Sequence, residues 1–266
     1  MDCIETDSVN PPCNLLAAGD PLPVIVEKAG ARRPFLFIGD HAGRAIPRRL
    51  GRLGLGPADL ERHIAWDIGV EGLGLILACA LNACFIRQAY SRLVIDCNRA
   101  PGSESSIPTV SDGTPIPANV GLSPAEKALR VESIYRPYQD RIGAELKARR
   151  AGNVRTVLVA LHSFTPSLEG FDRPWRYGVL HRGDSPFSAR MLAAMSGALG
   201  ALAGDNQPYA MDETDNTVPL HSRGHDIDYL ELEVRQDLLG EADGQALVAR
   251  EVARFLTEAD AIVAAR

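Results

Sequence analysis

Apolar runs of strand length alternate with stretches of helical period along the whole chain, and this alternation constrains the fold more than any other feature. "PFLFIGDHAG" (34–43) is an apolar strand entering a glycine-bearing loop, and "RTVLVALHS" (155–163) is a second buried strand. "RYGVLHR" (176–182) reads as another, and "DYLELEVRQ" (228–236) alternates apolar and charged residues with the period of a strand. Between them, 56–81 reads as mostly helical from Pro57 onward, and 84–99 as one or two strands ending in a polar cluster. Ser123, Pro124 and Glu126 open a helix with a capping box, and Pro137 predicts a kink in it. Further helices follow at 184–202 and toward the C-terminus, and 100–122 is a long loop. With no internal repeat and no linker, the expectation is a single α/β domain over 22–266. It is built on a mixed, largely parallel sheet flanked by helices and preceded by an irregular arm over 1–21.

Composition removes several classes of function. A formal charge of −6 over 266 residues carries no basic footprint for nucleic acid. The most apolar stretch, 72–86, is broken by glycines and Asn82 and is too short to span a bilayer, so no membrane role is expected. Five cysteines (Cys3, Cys13, Cys79, Cys84, Cys97) form no C-x-x-C pair, and the acidic start lacks an apolar signal region. A cytoplasmic protein is the expectation. The nucleophile elbow, the P-loop, G-x-G-x-x-G and H-E-x-x-H are all missing from the sequence.

Polar clusters stand where the apolar runs end. Asp40-His41 follows "FLFIG", Asp96-Asn98-Arg99 follows "RLVI", and His162-Ser163 closes "VLVAL"; Glu231, Glu233 and Arg235 lie on the late strand. In open α/β sheets, ligand-binding groups gather beyond the carboxyl ends of the strands. Neutral imidazoles with a carboxylate are the usual donors of a hydrolytic metal site, and a separate glutamate can take the proton from water. Ser163 beside His162 makes no triad, because neighbouring side chains on a strand point to opposite faces.

"GDHAGRAIP", "HIAWDIG", "YSRLVIDCNRAPG", "LHSFTP" and "LEVRQDLL" together resemble the N-formylglutamate amidohydrolase family, over roughly residues 20–240. The resemblance implies a zinc-dependent exopeptidase-like (phosphorylase/hydrolase-like) fold, related to metallocarboxypeptidases and aspartoacylases. It implies hydrolysis of a small N-acyl amino acid, N-formyl-L-glutamate going to formate and L-glutamate. Zinc, or another divalent metal such as cobalt, is the implied cofactor, with His41 and His162 as ligands. The relatives take their acidic ligand from His-x-x-Glu, whereas Arg44 stands three residues after His41. Asp67 is therefore chosen, with Asp40 second. Glu233 is the implied general base by its Glu-x-Arg match, with Glu231 competing for the role. Arg92 stands where a carbonyl-polarising arginine is expected, and Asn98 with Arg99 where a substrate carboxylate is gripped. Ser163, His221 and Arg235 complete the expected substrate contacts. Asp96 is expected to brace the arginines, and Asn206 and His225 have weaker claims on the pocket. His63 and His181 read as structural.

A further departure is "GDHAG" where "PHSG" is expected of the family, which points to a side branch with another acyl substrate. Two alternatives stay open: the same machinery acting on a larger N-acyl amino acid or a peptide C-terminus, and a metal-free protein that binds carboxylates on the same fold. Oligomeric state is not legible.

Overall fold

A computed structural model describes residues 14–224 and 227–264; all but the end of the predicted arm, and His225, lie outside them. Seven strands form one sheet: β1 (Val24–Glu27), β2 (Phe35–Gly39), β3 (Cys84–Gln88), β4 (Val157–Phe164), β5 (Tyr177–Leu180), β6 (Ala203–Asp205) and β7 (Asp228–Arg235). Their order across the sheet is β1-β3-β2-β4-β7-β5-β6. β3, β2, β4 and β7 are mutually parallel, β1 runs antiparallel to β3, and the parallel pair β5 and β6 runs antiparallel to β7, so the sheet is mixed and its centre parallel.

Helices cover both faces, which is why the central strands are buried along nearly their whole length. On one side α1 (Val70–Ala80), α4 (Pro186–Leu199) and α6 (Ala242–Ala264) pack on Phe35, Phe37, Val159, Leu161 and Leu232. On the other, residues of 124–151 and of α5 (Thr217–Ser222) pack on Leu36, Ile38, Leu158 and Ala160. The second face matters for function. Its period-two positions continue from Ala160 to His162 on β4 and reach Glu231 and Glu233 on β7, in register with Ala160 and His162.

The predicted capping box at Ser123–Glu126 is present and starts α2 (Pro124–Arg130). Pro137 does not break the helix that follows. The chain widens into a π turn at Val131–Tyr135 and continues as α3 (Arg136–Ala151), because a proline offers no N–H and crowds the carbonyl four residues back.

Two readings are corrected. Residues 56–81 are not one continuous helix; a single turn at Pro57–Leu60 and α1 flank an irregular stretch over 61–69. Gly69, at φ +79°, turns the chain there, and the Asp67 N–H donates to the His41 carbonyl. "RLVID" is not a strand either. Leu93, Val94 and Ile95 are buried in turns whose carbonyls are answered by side chains, Asn119 Nδ2 on Leu93 and Arg130 Nη1 on Val94.

A Cβ on Gly69 would meet the Leu239 Cβ at 2.4 Å and the Leu239 carbonyl oxygen at 2.5 Å. Gly69→Ala is therefore expected to lose about 2 kcal/mol or more in urea unfolding, through the positive φ and the overlap together. An unchanged midpoint would show that this turn does not depend on glycine.

Candidate functional site

The carboxyl ends of β2, β3, β4 and β7 share one sheet edge, and a cleft of about 360 Å³ opens there, within the range of small-molecule sites. His41, just past β2, and His162, near the end of β4, meet at its floor, with ring centroids 4.9 Å apart. Asp67 comes between them from the irregular stretch before α1. Its Oδ2 lies 3.0 Å from His162 Nδ1 and 3.5 Å from His41 Nδ1, and it accepts the Ser163 N–H. The far nitrogen of each ring faces another carboxylate. His41 Nε2 donates to Asp96 Oδ1 at 2.7 Å, and His162 Nε2 stands 3.4 Å from Asp40 Oδ2. Asp40 thus takes a different ring nitrogen from Asp67. Asp96 braces Arg92 and His41, whereas the Arg99 guanidinium turns to Asp215: Arg92 Nη2 donates to Asp96 Oδ2 at 2.8 Å, while Arg92 Nη1 is 3.4 Å from Asp67 Oδ1.

Glu233 and Glu231 close the site from β7, both buried. Glu233 is paired in register with His162, and Glu231 Oε1 lies 3.9 Å from His162 Nε2. His41 Nδ1 and one oxygen of each glutamate have no hydrogen-bond partner although they are buried. Such orphaned atoms are rare in folded proteins and call for an explanation. His41, Asp67 and His162 offer ligand atoms within 4.8 Å of one another, and so do His162, Glu231 and Glu233.

Not every predicted contact reaches the cleft. Asn98 lines it, but its Oδ1 accepts the N–H groups of Asn216 and Thr217 at the start of α5, and its Nδ2 donates to Asp215. Arg99 lines it too; its Nη1 donates to the Asn98 carbonyl and to Asp215, leaving the rest of the guanidinium without a hydrogen bond among the described residues. The Ser163 hydroxyl is committed to the Ile68 carbonyl, on the side of the sheet away from His162. Arg235 is not a cleft residue: it turns back to Asp237 and to the carbonyls of Arg173 and Pro174. His221 is not one either. It lines a larger groove of about 1010 Å³ at the opposite sheet edge, because α5 carries it away from the carboxyl ends. Asn206 accepts the His181 N–H instead of entering the cleft.

The wall that the sequence reading missed is the segment 209–215, which contributes Tyr209, Asp212, Thr214 and Asp215, and His63 stands on the rim. The acidic run "MDETD" (211–215) was its one visible signal.

Electrostatics follow from burying six ionisable groups together. Burial raises Glu231 to about 8 and Glu233 to about 7. Burial also pushes Asp67 and Asp96 up. For Asp67 the neighbouring His41 and His162 outweigh it, and for Asp96 Arg92 and His41 do, so both end below the ordinary carboxylate range. His41 is raised because Asp96 and Asp67 overcome burial and Arg92; His162 is raised further, by Glu231, Asp40 and Asp67 against burial.

These features define an α/β enzyme with a small, buried, ionisable site at the carboxyl edge of its sheet. Residues 33–240 match the N-formylglutamate amidohydrolase family, to which the chain belongs, and it is thereby an amidohydrolase, a hydrolase acting on amides. Gene product Atu2144 from Agrobacterium tumefaciens is similar in structure, with a TM-score of 0.90 and 33% identity over 94% of this chain and 99% of that one. An N-formylglutamate amidohydrolase from Ralstonia eutropha JMP134 shares the fold with a TM-score of 0.67 and 16% identity, over 92% of this chain and 100% of that one. No match was found among curated proteins. Among the described residues no helix is long and apolar enough to cross a membrane.

The raised groups have a consequence for stability. The folded state holds protons on Glu231 between about pH 4.5 and 8, on Glu233 between about pH 4.5 and 7, and on His41 and His162 above their ordinary 6.5, that the unfolded chain has released. Stability falls with pH wherever the native state binds more protons. The lowered Asp67 and Asp96 act the other way, but only below their ordinary 3.8. Chelator-treated protein should therefore lose thermal stability steadily from about pH 6 to 9. A melting temperature that rises over that interval would contradict the cluster as described.

Proposed function

We propose that this amidohydrolase cleaves the amide of a small N-acyl amino acid, N-formyl-L-glutamate above all, to formate and L-glutamate. A divalent cation, zinc or a similar metal such as cobalt, would be held by His41, Asp67 and His162. The observation that carries this reading is the convergence of the two Nδ1 atoms on the Asp67 carboxylate, with His41 Nδ1 buried and otherwise unpartnered. Two imidazoles and one carboxylate, with His41 braced through Nε2 by Asp96 and His162 Nε2 facing Asp40, are the donor set and support of an open zinc site. The charge balance agrees. Asp67, Asp212, Asp215, Glu231 and Glu233 line the cleft against Arg92 and Arg99.

A cation held there would supply Lewis acidity to the scissile carbonyl and to water. The chain's own residues do the rest. Glu233, whose buried Oε2 is free and which burial poises near neutrality, takes a proton from the attacking water. The water oxygen forms the new bond to the acyl carbon, and Arg92, held by Asp96 and Asp67, faces the charge that develops on the carbonyl oxygen. As the C–N bond breaks, Glu233 returns its proton to the departing nitrogen. Arg99 offers its unused guanidinium edge to a substrate carboxylate, with Asn98 holding the adjacent loop rather than the substrate. The Ralstonia protein, named for N-formylglutamate and alike in fold, supports this choice of substrate.

Assay of the purified protein on N-formyl-L-glutamate and a panel of other N-acyl amino acids tests the reading. Glu233→Gln should lower kcat on the order of 10²–10⁴-fold while metal stays bound. Arg99→Lys should lower kcat/KM about ten- to a hundredfold, the worth of a charge-assisted contact. His162→Ala should lose the metal found by elemental analysis. Turnover of an analogue with amidated carboxylates as fast as the acid would remove the N-formylglutamate assignment, and full activity in Glu233→Gln with Glu231→Gln dead would move the base to Glu231.

A further inference from the structure

A row of buried hydrogen bonds leaves the cleft floor and ends at the opposite edge of the sheet. Thr217 Oγ1 lies 2.6 Å from Asp40 Oδ1 and 3.1 Å from the Cys97 carbonyl oxygen. Gln139 Nε2, on α3, is 3.0 Å from Thr217 Oγ1 and 2.9 Å from the same Cys97 oxygen. Gln139 Oε1 is 2.8 Å from His221 Nε2. Asp40, Gln139, Thr217 and His221 are all buried.

Donor and acceptor chemistry gives the row a direction. An amide nitrogen only donates, so Thr217 accepts from Gln139, and its single proton goes to the Asp40 carboxylate, which only accepts. With its nitrogen turned to Cys97 and Thr217, Gln139 presents its carbonyl to His221, whose Nε2 donates. Asp40 Oδ1 is thereby satisfied, and Oδ2 is left facing His162 Nε2 at 3.4 Å, both atoms buried and without a hydrogen-bond partner.

His162 needs such a device because carboxylates flank both sides of its ring. Asp67 faces Nδ1, while Asp40 and Glu231 face Nε2. A neutral imidazole carries one proton, and if that proton sat on Nδ1 no lone pair would point at Asp67 and His41. We propose that Thr217, oriented by Gln139 and His221, is a positioning residue that fixes Asp40 under His162. It thereby keeps the His162 proton on Nε2 and the lone pair of Nδ1 turned into the cation site. The proposal rests on the cation reading of His41, Asp67 and His162. It gives a purpose to the departure in "GDHAG", since the proline of "PHSG" at position 40 has no carboxylate to receive Thr217 or face His162. It also places His221 in the machinery without placing it in the cleft.

Thr217→Val keeps the shape and removes both the acceptor and the donor. Zinc affinity of the purified protein, measured by competition with a chromogenic chelator, is expected to weaken about 10–100-fold, the usual worth of an outer partner of a metal-ligating histidine. Thr217→Ser, which keeps the hydroxyl, should restore native affinity. Gln139→Met should shift affinity in the same direction, and it is read in place of Thr217→Val if that variant does not fold. A variant that melts earlier but binds zinc as tightly as native protein would overturn the proposal, because loosened packing alone would then explain the hydroxyl. Native protein that binds no zinc, with His162→Ala indistinguishable from it, would overturn the cation site and the positioning role together.

Discussion

The Asp67 carboxylate between two imidazoles is the constraint around which the rest of this structure is arranged. A buried carboxylate is costly unless its charge is answered, and removing one partner of a buried pair typically costs about 3–5 kcal/mol. Asp67 is answered by Nδ1 of a protonated His162, by the Ser163 N–H and, at longer range, by His41 Nδ1 and Arg92. To reach that position it cannot sit on a helix surface. The chain abandons helical geometry over 61–69, ties Asp67 back to the His41 carbonyl, and re-enters a helix only after a glycine with positive φ. Each imidazole then transmits the constraint outward, to Asp96 and Arg92 on one side and to Asp40 and Thr217 on the other.

The central strands were legible as buried apolar runs, with period two added in β7, whereas the short, partly exposed edge strands β1 and β6 were not. The edge at which "FLFIG" and "VLVALHSF" stop was legible too, and both histidines are found there. The errors share a cause: hydrophobic pattern reports burial and says nothing of how the backbone is hydrogen-bonded. Leu93, Val94 and Ile95 are as buried as any strand residue, yet their segment is held by the side chains of Asn119 and Arg130 from distant parts of the chain. Residues 61–69 carry the composition of a helix, and only the site explains why they are not one. Tyr209, Asp212 and Asp215 reach the cleft through the tertiary path of an irregular segment, which no local pattern encodes. Asn98 lines the cleft, and its second task, holding the start of α5, was not legible: a short polar side chain at a sharp corner can hold a neighbouring loop as readily as a ligand.

Parity on a parallel pair explains how two glutamates two residues apart come to differ. Alternate residues of β7 share one face and are separated by roughly 6–7 Å along the strand. Glu231 is level with Ala160, deep beside His162 Nε2 and within the influence of Asp215 and Asp40, and these carboxylates add to burial in raising it. Glu233 is level with His162 itself, nearer the mouth, where Asp67 raises it but His41, His162 and Arg92 pull it down. The deeper acid is thus the more reluctant to ionise, and the outer one faces the space in which a substrate and water can stand. A one-residue slip of β7 against β4 would turn both glutamates into the opposite, apolar core among α1, α4 and α6. The register of Leu230, Leu232 and Val234 in that core is therefore what aims the acid chemistry at the cleft, and the hydrophobic half of β7 fixes the position of its polar half.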